Sequence, residues 1–463
     1  MVKDFLKKSK LSPIIMGLIL GILIYLGPFL ILSILVLWSI FFFLMKRPKE
    51  DKNLLTKIVV IALVLRLLFF MLAMYIVYCA NADVSQYPAR IVGHTIQAVR
   101  DFDREIKNGF AIAHYLKGEF GNVPVKEISH HGVGFLHAGA WTQGILNFIF
   151  GVSIFNLLLF PLIDLWTVII VYYFAKLLFD ERTASFASLI YAIMPSTIFI
   201  SCTNIRFSLS IFSLLLTAFA ILQFARRNNL RSLLLLAIGV IIFVVYREKA
   251  SKPFLMILPL ILFVAINIRL RTKFVFLVIL GAFFILSLFK SSFVQQKSLE
   301  LLHNMFASQV GFTSEAGGEG YSDYKIFDEV IYHTDITSIP PVTLIKMLPR
   351  GLFKGIVYFM FVPFPWQVTN TTRLYFYPQV IFWYFIFLFA IFGMLRSLFL
   401  KTKETLPIIL LCGYFVILLS LVLGNEGIVV RYRELITPFF YIFAGSILCN
   451  LFAPRGMRDY RIS

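Results

Sequence analysis

The stretch Gly424-Asn425-Glu426-Gly427-Ile428-Val429-Val430-Arg431-Tyr432-Arg433-Glu434 is a polar island between two apolar runs, Leu406–Leu423 and Leu435–Leu451. The segment before the first run, Arg396 to Glu404, is basic, and so is the tail after the second run. Lysine and arginine concentrate in the cytoplasmic loops of membrane proteins. The polar island is therefore predicted to face outward. Arginines at that boundary usually have an anionic partner.

The composition of the chain is that of a membrane protein. Hydrophobic residues make up 59% of its 463 residues, only 14% are charged, and 51 are phenylalanine. A soluble protein could not cover such a composition with polar groups. Apolar runs of about 16–25 residues recur along most of the chain, and that is the length of a membrane-spanning helix. The basic residues behind the net charge of +19 lie mostly in short loops between these runs. Membrane orientation accounts for such residues, so nucleic-acid binding is not expected.

Basic loops alternate with the apolar runs and set the predicted topology. Pro13 to Met45 is predicted to form a hairpin of two short spans, and Ile58 to Cys79 a third span. To keep the alternation, Phe135–Phe150 and Leu352–Phe364 must be juxtamembrane or re-entrant helices on the outer face. The expected fold is an all-α integral membrane protein of about 12 transmembrane helices in the inner (plasma) membrane, with both termini cytoplasmic.

This topology divides the chain into three parts. Residues 1–57 form an N-terminal helical hairpin and a cytoplasmic loop, residues 58–453 the transmembrane domain, and residues 454–463 a cytoplasmic tail. Two external loop regions, 81–153 and 291–375, interrupt the transmembrane domain. The centre of the second region, Ser314 to Gly320, is flexible by composition and suits either a lid or a plain connector.

A carboxylate and several cations share the predicted outer ends of the spans. Asp83 follows the third span. The cations are Arg206, Arg247, Lys249, Arg350, Arg431 and Arg433. A carboxylate can take a proton from an acceptor hydroxyl, and arginines can neutralise the charge that grows on a departing phosphate. We therefore assign a general-base role to Asp83 and binding of a lipid-linked donor phosphate to the cations.

Neighbouring polar residues are weaker candidates for contacts with the acceptor or the sugar. They are Tyr87, Arg90, His94, Glu248, Asn425 and Glu426. Other roles stay open, since Asp83 could cap a helix and Arg206 or Arg247 could snorkel to lipid headgroups.

Two further groups of ionisable residues give no site from the sequence alone. Arg66 and Asp164 fall within spans, and they could form a structural ion pair or each face a polar cavity. His130 and His131 have no third ligand nearby, so no metal site is predicted. No cofactor is expected, and a divalent metal is not indicated.

Three stretches carry a family resemblance. One runs from Phe150 through Asp180-Glu181-Arg182 to Ser196. The second combines Leu348-Pro349-Arg350-Gly351 with Pro363-Phe364-Pro365-Trp366, and the third combines Gly424-Asn425-Glu426-Gly427 with Arg431-Tyr432-Arg433 and Pro438. With these, the chain resembles the GT-C superfamily of membrane glycosyltransferases, in the protein-mannosyltransferase and aminoarabinose-transferase group. It is similar to GT-C-like proteins found among bacterial polysaccharide genes.

The resemblance implies an inverting sugar transfer from a polyprenyl-phosphate-sugar donor on the outer face, to a glycan, lipid or protein acceptor. It also implies a catalytic aspartate in the first external loop, where Asp83 is the residue placed to match. Two positions depart from the family pattern. Relatives carry an acidic pair where this chain has Asn81-Ala82-Asp83, and often an acid where Phe207 follows Arg206. The enzyme then works with one base, or it has lost transfer activity.

Three rival functions fit the same topology. A polysaccharide repeat-unit polymerase would use the same donor chemistry on a larger lipid-linked oligosaccharide. A lipid-linked-sugar transporter or flippase would place acidic and basic pairs along a path at the membrane midplane, which Arg66 and Asp164 suggest faintly. A non-catalytic scaffold of an envelope complex is the third. Membrane lipids are expected partners in every case.

Overall fold

A computed structural model describes residues 29–81, 109–119, 138–150, 158–203, 205–227, 229–265, 292–314, 324–333, 339–364, 366 and 377–452. Within these ranges the chain is α-helical and contains no β-strand. In chain order the helices are α1 (Phe29–Met45), α2 (Lys49–Asn81), α3 (Ala138–Phe150), α4 (Leu159–Leu178), α5 (Glu181–Ile193), α6 (Pro195–Thr203), α7 (Ile205–Arg227), α8 (Leu230–Tyr246), α9 (Glu248–Ala265), α10 (Ser292–Ser314), α11 (Glu329–His333), α12 (Pro341–Phe361), α13 (Tyr377–Leu400), α14 (Thr402–Val422), α15 (Glu426–Arg433) and α16 (Thr437–Phe452).

Several of these helices suit a lipid bilayer. Among the described residues, 5 helices (α2, α4, α7, α13 and α14) are long and apolar enough to cross a membrane, or up to 6 spans if the bent pair α5 and α6 counts as one. The shorter helices α1, α8, α9 and α16 are also apolar. The predicted all-α, multi-pass membrane architecture is confirmed, while the count of about 12 spans stays a prediction.

The chain divides into two compact units. The first comprises Met1–Thr167 and Ile198–Leu209, and the second comprises Val168–Thr197 and Ser210–Ser463. In the first unit α1 packs on α2. Phe43 of α1 contacts Trp166 of α4 edge-on, with ring centroids 5.2 Å apart.

The first unit contains a buried ion pair between Arg66 and Asp164. The exposed fractions of the two side chains are 0% and 1%. Nε and Nη2 of Arg66 donate to Oδ2 of Asp164 at 2.8 and 2.6 Å, and Nη1 donates to the Ala62 carbonyl at 3.3 Å. Of the two roles that the sequence left open, the structure shows the ion pair, which ties α2 to α4.

Close helix contacts hold the second unit together. α16 packs against both α13 and α5, and α14 packs against α12. At Gly393 of α13 a Cβ atom would stand 2.1 Å from the Phe443 carbonyl oxygen of α16, so only glycine permits this approach. Phe243, Phe254 and Phe415 join α8, α9 and α14 in an aromatic cluster with centroids 5.0–5.8 Å apart.

Helices extend beyond two predicted segments. Helix α2 begins at Lys49, before the predicted span Ile58–Cys79, because Glu50 and Asp51 favour a helix N-terminus and Leu55 is already buried. The predicted external region 291–375 is largely helical where it is described, and it holds α10, α11 and α12.

The helix predicted for Leu352–Phe364 begins instead at Pro341, as α12. Pro349 lies inside α12 and does not end it. The motif Leu348-Pro349-Arg350-Gly351, which directly precedes the predicted helix, is therefore an internal turn of α12.

Candidate functional site

The polar island folds as the short helix α15. The Asn425 side-chain oxygen accepts a hydrogen bond from the Ile428 amide at 3.2 Å, and its carbonyl accepts one from the Val429 amide at 2.9 Å. Asn425 is therefore the N-cap of α15. Arg431 and Arg433 lie in the last turn, where a positive charge suits the helix dipole.

Arg247 ends α8 and contacts the polar island. Its amide donates to the Phe243 carbonyl at 2.9 Å, and its buried side chain donates from Nε to the Ser210 hydroxyl at 3.0 Å. Its guanidinium carbon lies 4.7 Å from the centre of the Tyr432 ring, which is cation–π distance. The structure thus brings together two of the cationic positions predicted from sequence, Arg247 and the Arg431–Arg433 stretch.

Arg433 is buried and bonded to backbone. Its Nη1 donates to the carbonyls of Met360 and Val362, both at 3.0 Å. Its guanidinium lies 5.0 Å from the centre of the Trp383 ring. Burial lowers the pKa of the Arg433 guanidinium from its ordinary value, and the neighbouring Glu434 carboxylate acts in the opposite direction.

The backbone that Arg433 binds is the turn at the end of α12, which we call the carbonyl turn (Met360–Pro363). Trp383 donates from Nε1 to the Met360 carbonyl at 2.7 Å. The Tyr384 hydroxyl donates to the Phe361 carbonyl at 2.5 Å and contacts the Pro363 carbonyl at 3.1 Å. Four successive carbonyls are thus held by side chains from α13 and α15. The Val362–Pro363 peptide bond is cis.

Tyr324, which precedes α11, contacts the start of the polar island. Its amide donates to the Gly424 carbonyl at 2.9 Å, and its ring stacks on Tyr358 with centroids 4.4 Å apart. Burial raises the pKa of the Tyr324 hydroxyl, and the nearby Glu426 carboxylate raises it further. Among the described residues this hydroxyl has no hydrogen-bond partner.

Arg350 has different surroundings from Arg247 and Arg433. It lies in α12 with 82% of its side chain exposed, and it pairs with the half-exposed Asp328 at 3.3 Å. Exposed pairs of this kind contribute little to stability.

The other predicted site residues divide into two groups. Arg206 lies in the first turn of α7, in the first unit, and Glu248 and Lys249 begin α9 directly after Arg247. The predicted general base and the three candidates near it lie outside the described residues: Asp83, Tyr87, Arg90 and His94. The described residues contain no group of three or more His, Cys, Asp and Glu side chains that could hold a metal ion.

Several residues that contact Arg247, Arg433 and the carbonyl turn were not predicted from the sequence. Trp383 and Tyr384 lie in an apolar run, where aromatic residues are ordinary, and Ser210 lies in another apolar run. Only the folded structure shows that their N–H and O–H groups bind the turn and Arg247. Tyr432 offered a signal, because an aromatic residue between two arginines is suited to contact with a cation.

One comparison with known proteins gives a family. Residues 137–290 match the family model described as dolichyl-phosphate-mannose-protein mannosyltransferase. The matched region includes α3 to α9 and therefore Arg247 and its partner Ser210. A search of curated proteins found no match.

The family match confirms the resemblance that the sequence motifs suggested. It covers the stretch from Phe150 to Ser196, which carried part of that resemblance, and it extends to residue 290. The matched family is of the GT-C type. Over residues 137–290 the chain is thus similar to membrane glycosyltransferases of the GT-C type, and its described helices are those of a multi-pass membrane protein.

Proposed function

We propose that the protein transfers a sugar from a polyprenyl-phosphate donor to a glycan, lipid or protein acceptor on the outer face of the cytoplasmic membrane. The acceptor hydroxyl oxygen attacks the anomeric carbon of the sugar as the bond from that carbon to the phosphate oxygen breaks. Polyprenyl phosphate leaves with the bonding electron pair, and the acceptor proton passes to the Asp83 carboxylate. A single displacement of this kind inverts the anomeric centre.

The observation that carries the proposal is the contact between Arg247 and Tyr432. It joins the region that matches the glycosyltransferase family to the polar island. A cation held by Ser210 and an aromatic ring keeps a fixed direction, which suits the stabilisation of charge on a departing phosphate. We assign the donor phosphate to Arg247 and Arg431, with Arg206 and Lys249 as further candidates. We no longer include Arg350 in the donor site, because its side chain is exposed on α12 and pairs with Asp328.

Arg433 has a different role in this proposal. Its Nη1 group already binds two carbonyls, so we assign it to positioning α15, and with it Arg431, against the carbonyl turn. Asn425 and Glu426, at the start of α15, remain candidates for contacts with the sugar. Tyr87, Arg90, His94 and Glu248 remain candidates for contacts with the acceptor or the sugar.

The test is a transfer assay with purified protein and radiolabelled polyprenyl-phosphate sugars, scored by release of free polyprenyl phosphate. Asp83→Asn should lower transfer by roughly 100-fold or more, the usual contribution of a general base, with donor binding retained. Asp180→Asn is the matched control, because Asp180 caps α5 through its side-chain oxygen and an amide can do the same. Undiminished transfer by Asp83→Asn would remove Asp83 from the mechanism.

A second assay tests the phosphate role of the arginines. Arg431→Ala should weaken binding of the polyprenyl-phosphate donor, measured as a rise in its dissociation constant. Arg431→Lys should recover part of the binding, because a lysine also attracts phosphate but only as a point charge. An unchanged donor affinity in Arg431→Ala would exclude a contact between Arg431 and the phosphate.

The structure bears on the transporter alternative at one place. Arg66 and Asp164 suggested a polar path at the midplane, but they bind each other, and Arg66 also donates to the Ala62 carbonyl. That arrangement supports helix packing and gives no reason to prefer transport. A repeat-unit polymerase would share the proposed donor chemistry and differ in the size of the transferred group.

A further inference from the structure

One face of α12 exposes apolar and cationic side chains together. Ile345 and Lys346 both follow Val342 by three or four residues, and Arg350 and Phe353 come four and seven residues after Lys346, which places all five on one side of a helix. Their apolar members are 62%, 56% and 74% exposed, in chain order. We call these five residues the α12 stripe.

The opposite face of α12 fixes the direction of the stripe. At Gly351 a Cβ atom would stand 2.2 Å from the Phe327 ring, and at Gly355 one would stand 2.4 Å from the Ser420 carbonyl oxygen. Leu344 and Phe359 on the same side are fully buried. The helix therefore cannot turn its apolar residues inward without breaking these contacts, and the exposure of the stripe is a property of the fold.

Neither water nor hydrocarbon alone suits the stripe. Val342, Ile345 and Phe353 would expose apolar surface to water, whereas Lys346 and Arg350 would carry costly charges into the lipid interior. A helix with this mixture of residues is stable in the plane of the membrane interface, with its apolar side chains at the acyl boundary and its cations at the headgroups.

We propose that the α12 stripe binds anionic phospholipid headgroups of the surrounding bilayer, through Lys346 and Arg350. Arg350 also contacts Asp328, at 3.3 Å. This pair is exposed and weak, so the guanidinium can bind a lipid phosphate at the same time or exchange partners. Lys354, one turn further, donates instead to the Lys325 carbonyl at 2.6 Å and helps to hold the helix in place.

This surface is separate from the proposed donor site. Arg247 is buried against Ser210 and Tyr432, whereas Lys346 and Arg350 are open on the outside of α12. Loss of lipid binding should therefore leave binding of the polyprenyl-phosphate donor unchanged. The two proposals can fail independently.

In the test, fluorescent phosphatidylglycerol or fluorescent phosphatidylcholine is titrated into the full-length protein in detergent micelles. Binding of each lipid is measured by energy transfer from the protein's tryptophans. The wild type should prefer phosphatidylglycerol. The double variant Lys346→Gln/Arg350→Gln should lose roughly tenfold or more of that preference, because both cations that attract an anionic headgroup are removed. The preference should also fall as salt concentration rises.

Two control variants separate a local site from general charge. Lys346→Arg/Arg350→Lys keeps both charges and should keep the preference. Arg396→Gln removes an exposed cation near the end of α13 and should also leave the preference unchanged. The proposal is overturned if the double glutamine variant binds phosphatidylglycerol as the wild type does, or if Arg396→Gln lowers the preference equally.

Discussion

Arginines that look equivalent in the sequence have different surroundings in the fold. Arg433 bonds to backbone carbonyls, Arg247 to a hydroxyl and an aromatic ring, and Arg350 to an exposed carboxylate. A guanidinium has five donors in a fixed plane, so it can hold a turn or stack on a ring as readily as it can bind a phosphate. Chemical type and predicted depth alone therefore do not assign the role.

The first prediction concerns Arg433. Arg433→Ala removes the side-chain donor to the Val362 carbonyl and leaves a cavity beside Trp383, so the free energy of unfolding in mixed micelles should fall by about 2–4 kcal/mol. Arg433→Lys should recover only part of the loss, because lysine cannot stack as a plane. Arg431→Ala, at a half-buried position of the same helix turn, is the control and should cost clearly less. Equal losses for both alanine variants would contradict the positioning role.

The second prediction concerns Tyr432. Tyr432→Leu removes the aromatic ring beside Arg247 and should weaken donor binding by a factor that corresponds to about 0.5–2 kcal/mol. Tyr432→Phe keeps the ring and should bind the donor as the wild type does. The measurement is the donor dissociation constant. A loss in Tyr432→Phe as large as in Tyr432→Leu would show that the hydroxyl, and not the ring, is needed.

At the scale of elements, small residues decide which helices approach closely. Gly355 lets α12 approach the backbone of α14 at Ser420, and Gly393 lets α13 approach α16 at Phe443. Apolar side chains give little driving force for helix association within lipid, so close contact and van der Waals packing do more of the stabilisation there. Such glycines are therefore sensitive positions although they carry no functional group.

The third prediction compares two glycines. Gly355→Ala would place its Cβ 2.4 Å from the Ser420 carbonyl oxygen. Because backbone cannot move aside cheaply, the variant should lose about 1–3 kcal/mol of unfolding free energy. Gly413→Ala in α14 is the control, since no atom lies within 4 Å of its Cβ position. It should be neutral, or more stable by about 0.5–1 kcal/mol, because alanine favours a helix.

The fourth prediction concerns the ion pair between α2 and α4. Arg66→Met or Asp164→Leu alone leaves a buried charge without its partner and should cost about 3–5 kcal/mol of unfolding free energy. The double variant Arg66→Met/Asp164→Leu should be more stable than either single variant, because no lone charge remains. If the double variant lost as much unfolding free energy as the two single variants together, the two side chains would not act as a pair.

At the scale of the whole molecule, the sequence predicted the architecture better than the site. The apolar runs gave the helical membrane class, and the motif stretches gave the GT-C resemblance, because both depend on local pattern. Helix starts at Lys49 and Pro341 were not predicted, since the charged first turn of α2 and the Pro340-Pro341 pair at the start of α12 are typical of loop sequence. The partners of Arg433 were missed because Met360 and Val362 contribute carbonyls, and carbonyls leave no trace in a sequence.

The contact between Arg247 and Tyr432 also limits how the protein can be dissected. The family-matched region ends at residue 290, whereas the ring against Arg247 comes from residue 432. A fragment cut to the matched boundaries would contain the guanidinium without its aromatic neighbour. Two fragments expressed separately, 1–290 and 291–463, would have to bind each other to restore that contact. Recovery of function on their co-expression would therefore show that the two fragments associate.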